Sequence, residues 1–141
     1  MTVQDQHLVA VLVDLPHNRG ELEQLEAFSL APLLQVESEC LLVSHHPDDS
    51  SLLRFLQANR DGGELDVVFL ETMHPVGQLA RDECHDLLQL INGSIPVILV
   101  QSGSFCRRLH LYDREQDCFD PEGVEAILEN IWQVIKDLLS Q

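Results

Sequence analysis

The chain has 141 residues, 45% of them hydrophobic, which suits one domain that builds its own core. Its formal charge of −16 at pH 7 repels phosphate backbones and anionic bilayers, so direct binding to nucleic acid or a membrane surface is not expected. No apolar run approaches the roughly 18 residues of a membrane-spanning helix, and Met1 to His7 lacks a basic n-region with a long apolar segment behind it, so no signal peptide is expected and the cytoplasm is the expected compartment.

Leu8 to Val13 is a continuous apolar run rich in branched residues and ends at Asp14, the pattern of a strand buried on both faces. Pro16, Asn18 and Gly20 mark a loop. From Glu21 a helical period sets in, with Leu22, Leu25 and Phe28 on one stripe and Pro32 closing it. The second strand is Leu33 to Val36 or Cys40 to Val43; the latter is preferred, because Ser44 to Asp49 then leads to a helix over Ser51 to Asn59. Leu52, Phe55 and Leu56 would face the core there.

Asp61-Gly62-Gly63 breaks the chain before the central strand, which starts at Asp66 and delivers Glu71 to a loop at its carboxyl end. After Pro75 the 3.6-residue period returns, with Ala80, Cys84, Leu87, Leu88 and Ile91 on one face and Gly93 as the stop. Ile95 to Val100 is a further apolar strand, with Gln101 to Ser104 as its outgoing loop. Residues 104–119 are weakly patterned, and Leu109 to Tyr112 is at most a short edge strand. Asp120-Pro121-Glu122 has the signature of a helix start: an aspartate cap, proline at the first position and an acid in the first turn. Val124, Ile127, Leu128, Ile131, Ile135 and Leu138 then form the stripe of a long last helix. The alternation predicts an α/β fold, a flavodoxin-like, doubly wound five-stranded parallel sheet with helices on both faces, as a single domain over 1–141.

Cys40, Cys84, Cys106 and Cys118 form no C-x-x-C pair, so free thiols are expected rather than framework disulfides. Cys106 and His110 have the spacing of metal ligands on one helical face, and Cys84-His85 and His45-His46 are further possible ligands. Nothing joins them into a recognisable site, so neither a metal nor a cofactor is expected.

Three segments resemble the receiver domain of bacterial response regulators, the CheY-like family. They are the strand ending at Asp14, the stretch Asp66-Val67-Val68-Phe69-Leu70-Glu71-Thr72-Met73-His74-Pro75, and Ile95 to Val100. Phe119-Asp120-Pro121-Glu122 is similar to the entry of that family's last helix. The resemblance implies a CheY-like fold and a phospho-acceptor pocket at the carboxyl ends of the strands. Its chemistry needs an aspartate nucleophile, neighbouring acids for Mg²⁺, a lysine and a hydroxyl.

Here the pocket is degenerate. Glu71 stands where the nucleophile would be, one methylene longer, and such a displacement can cost about 100-fold in a positioned site. Asp14 is followed by Leu15 and Pro16, which halves the acid pair. Gln101 takes the hydroxyl position with Ser102 one residue late. The chain's one lysine, Lys136, falls in the last helix; Arg107 and Arg108 could approach Glu71, but arginine is not an equivalent charge for this role.

The expectation is therefore a non-phosphorylatable pseudo-receiver that acts in signal transduction through a regulatory protein partner. The irregular stretch after the fourth strand is also similar to the amino-terminal pseudo-receiver of cyanobacterial clock regulators of the KaiA type, and the antiterminator pseudo-receivers of amidase regulators are nearly as similar. Either implies the amino-terminal module of a longer regulator. Glu71 would be a solvated strand-end carboxylate, a mimic of phospho-aspartate, or a partner contact. With Asp14 it would form a shallow acidic pocket. Arg107, Arg108, Trp132 and Ile135 are the interaction candidates, and a homodimer through the last helix is a possible assembly. The alternative is a small α/β enzyme or ligand-binding domain using the carboxyl edge of the sheet, with His17, His46 and His74 near it. No G-x-S-x-G, P-loop or G-x-G-x-x-G motif opens any helix, so an enzyme is not expected.

Overall fold

The computed structural model describes residues 10–14, 40–42, 54, 57, 66–72, 88–89, 91, 95–102, 107–127 and 129–140. Its strands are β1 (Ala10–Asp14), β2 (Cys40–Leu42), β3 (Val67–Thr72), β4 (Val97–Ser102), β5 (Arg107–Asp113), β6 (Cys118–Phe119) and β7 (Val124–Ala126); helix α1 spans Ile131–Leu139. They form one seven-stranded sheet in the order β2-β1-β3-β4-β5-β6, with β7 also pairing with β5.

The first four strands are parallel, and each apolar run read from the sequence supplies one of them. In β3 and β4, Val67 to Leu70 and Val97 to Val100 are all buried, so residues pointing to both faces are removed from water. Each large side chain fully buried in this way contributes about 1.5–3 kcal/mol.

From β5 onward the sheet departs from expectation. β5 runs antiparallel to β4, and β6 and β7 run antiparallel to β5, so the sheet is mixed. This overturns the five-stranded parallel, CheY-like doubly wound sheet. The reason is the length of the connection. A parallel crossover needs a dozen or more residues, whereas only residues 103–106 separate Ser102 from Arg107. So short a link can only reverse the chain.

β5 is also longer than the edge strand read from the sequence, and it is covered on its outer side by β6 and β7. Asp113 Oδ1 accepts from the backbone N–H groups of Glu115 (2.9 Å) and Gln116 (3.3 Å), closing the turn into β6. Asp117 takes a positive φ of 53° there, and its carboxylate accepts from the Tyr112 hydroxyl. Tyr112 and Phe119, a registered pair, pack with ring centroids 5.1 Å apart and planes tilted by 53°.

Residues 120–123 bulge out between β6 and β7. Two residues of β5, His110 and Leu111, lie between the paired positions Leu109 and Tyr112, while four residues of the returning chain lie between Val124 and Phe119. The Asp120 N–H donates to Leu111 O at 2.9 Å, and Gly123 turns at a φ of +66°. The helix start expected at Asp120-Pro121-Glu122 is thus overturned: this segment is the bulge, Val124 to Ala126 is strand, and the helix begins at Ile131. Pairing with the open edge of β5 outweighs the local helix-start signature.

α1 places Ile131, Ile135 and Leu138 on Ala10, Val67, Phe69, Ile98, Val100, Leu109 and Ala126. These helix positions are spaced by four and three residues, so they share one face. The expected helix at Glu21 to Ala31 lies outside the described residues, as do Leu52, Phe55, Leu56, Ala80, Cys84 and Leu87. Arg54 and Gln57 are helical and exposed, Leu88 and Gln89 are helical, and Leu88 and Ile91 are buried. Among the described residues α1 is the one delimited helix, and no helix is long and apolar enough to cross a membrane.

Candidate functional site

The register of the sheet brings the singled-out polar residues to one end of it. Asp14 is paired with Glu71 across β1 and β3, Glu71 with Val100, Thr72 with Gln101, Gln101 with Arg108, and Ser102 with Arg107. Four adjacent strands therefore meet where the degenerate pocket was expected.

Burial changes what this end can do. Glu71 lies inside β3, one residue before its end, and is 0% exposed. It is neither a loop residue, nor a solvated strand-end carboxylate, nor the wall of a shallow acidic pocket. A carboxylate so placed persists only with partners, and Glu71 has them. Arg107 is the other buried charged residue at this end, 7% exposed and also engaged. By strand alternation it shares a face with Leu109, which pairs with Val100, the partner of Glu71. The Glu71 carboxylate is thus withdrawn from solvent.

Arg108 points to the opposite face. Its guanidinium donates to Glu122 O at 2.9 Å and to Glu125 Oε2 at 3.0 Å, tying β5 to the bulge and to β7. Both side chains of this ion pair are well exposed, so solvent screening leaves it about 0–1 kcal/mol. Gln101 is half-buried.

Of the two helix candidates, Ile135 is fully buried in the core and Trp132 is half-buried against it, with Lys136 Nζ 6.0 Å from its ring centroid. Outward positions Gln133 and Asp137 hydrogen-bond to each other at 2.9 Å. The apolar stripe of α1, formed by Ile131, Ile135 and Leu138, is spent on its own sheet.

His110, considered above only as a ligand spaced for a helix, stands on β5. It is 1% exposed, and its Nδ1–H donates to Asp120 O at 2.7 Å, since a carbonyl can only accept. Its Nε2 is buried without a hydrogen-bond partner. Gly123 packs against this ring so closely that a Cβ there would lie 2.6 Å from Nδ1 and 2.8 Å from Leu109 O. Cys106, His17, His45, His46, His74 and Cys84-His85 lie outside the described residues. Among those described, no three His, Cys, Asp or Glu side chains are grouped to hold a metal ion.

A concavity elsewhere on the sheet was not anticipated from the sequence. It has a volume of about 450 Å³ and lies between the β5–β6 hairpin, β7 and the end of α1. Alternation along β5 carried the signal, because Leu109, Leu111 and Asp113 fall on one face once the segment is read as a strand. No family model matches this chain, and no curated protein is significantly similar to it.

Proposed function

We propose that this chain is a non-phosphorylatable regulatory domain that acts through protein–protein contacts. What supports the reading is the complete burial of Glu71 within β3, which withholds from solvent the carboxylate that phosphoryl acceptance would use. The chain's one lysine is on α1 beside Trp132, where its ammonium is engaged with an indole ring. With the Glu71 carboxylate withdrawn from solvent, the reading turns to the acidic character of the chain, which favours encounter with basic partners. The free Cys118 thiol fits a reducing, cytoplasmic compartment.

The test has two arms. Incubation with acetyl phosphate and Mg²⁺, followed by intact mass measurement, should leave the chain unmodified; a phosphoryl adduct at Glu71 contradicts the reading. Proteins captured with the chain as bait are then purified and recombined with it. A stoichiometric complex is the expected result, and failure of every captured protein to re-form one contradicts the regulatory role.

A further inference from the structure

We infer that the concavity beside the β5–β6 hairpin is the docking groove, and that its occupant is a basic partner segment presenting one large apolar side chain flanked by arginine or lysine. This rests on the protein–protein reading above and names the partner chemistry. The groove is lined by Leu111, Val124 and Leu138 on its apolar side and by Asp113, Glu115 and Asp120 among its charged residues. Val124 is 39% exposed, and Ile127 just beyond β7 is 44% exposed, so apolar surface continues past the groove. A volume of about 450 Å³ lies within the range of sites that enclose a ligand group.

Charge decides the occupant. Among the described residues, three carboxylates line the groove against one guanidinium, that of Arg114, which is already committed. Its Nη2 donates to Ile95 O at 2.7 Å, and its guanidinium carbon lies 5.6 Å from the Tyr112 ring centroid. Asp113 and Asp120 are held in place by the backbone N–H groups of Glu115, Gln116 and Glu122, so their charges are fixed before a partner arrives. Leu138 stands in the last turn of α1, whose carbonyl end adds partial negative charge on that side. A second copy of a chain with net charge −16 is repelled from such a groove, whereas arginine or lysine is attracted.

The probe is an acetylated, amidated peptide with a central leucine and two arginines on each side, titrated into the isotope-labelled full chain. Binding should move the amide resonances of Leu111, Asp113, Val124 and Leu138 most. A peptide with serine for leucine should bind about tenfold more weakly or worse, as loss of one buried leucine side chain implies. Val124→Lys and Glu115→Lys should each weaken the leucine peptide at least several-fold, with the α1 resonances reporting that the fold is kept. Equal affinity for both peptides, shifts spread over the whole surface, or indifference to both substitutions overturns the groove. Concentration-dependent dimerisation that Val124→Lys abolishes also overturns it, in favour of a second copy. If a recombined partner complex forms but ignores both substitutions, the groove fails while the regulatory reading stands. A phosphoryl adduct at Glu71 defeats that reading and leaves the groove's peptide test as it was.

Discussion

At Gly123 the backbone takes a φ of +66° while a Cβ would sit 2.6 Å from the His110 ring and 2.8 Å from Leu109 O. The left-handed conformation alone costs a non-glycine residue about 1–3 kcal/mol, and here the backbone oxygen cannot move aside without breaking the β5 ladder. Gly123→Ala should therefore lower unfolding stability by at least that amount in urea denaturation. A loss under about 0.5 kcal/mol, the usual effect of a surface substitution, contradicts the described bulge. Glu71 illustrates what single residues disclose. Its place at the end of an apolar run was legible from Asp66 to Thr72, but its burial was not. A glutamate at a strand end is ordinarily solvated, and only the register with Val100 and the packing around it set it inside.

Among the elements, β1, β3 and β4 were legible because continuous apolar runs bounded by turn residues have few alternatives, whereas β2 had two candidate segments, of which the preferred one forms the strand. β5 to β7 were not. The Asp120-Pro121-Glu122 signature is local, and it loses to the open edge of β5, which offers backbone partners to Val124, Glu125 and Ala126. The four residues between β4 and β5 held the decisive clue, since no parallel crossover fits in them. α1 follows its periodicity where it forms, and its stability comes from the buried stripe. Ile135→Ala should cost about 2–5 kcal/mol by the cavity it leaves, whereas Gln133→Ala, on the exposed side, should stay within about 0.5 kcal/mol. Comparable losses for the two in urea denaturation contradict the packing of α1 on the sheet.

For the whole molecule, a charge of −16 on 141 residues means that self-repulsion works against the compact state. Raising ionic strength from about 0.01 M to about 0.15 M shortens the screening length from about 30 Å to about 8 Å. The thermal midpoint should rise over that interval, and a midpoint that falls would show that favourable surface ion pairs dominate instead. The same charge repels other copies of the chain and attracts cationic groups.

Glu71 is sealed within a mixed sheet. Carboxyl footprinting with a water-soluble carbodiimide and an amine nucleophile, read residue by residue by mass spectrometry, tests that directly. In the native chain Glu115, Glu122 and Glu125, all exposed, should be modified, while Glu71 stays unmodified until urea unfolds the chain. Native-state labelling of Glu71 at the rate of Glu125 would contradict its burial and place its carboxylate within reach of a phosphoryl donor.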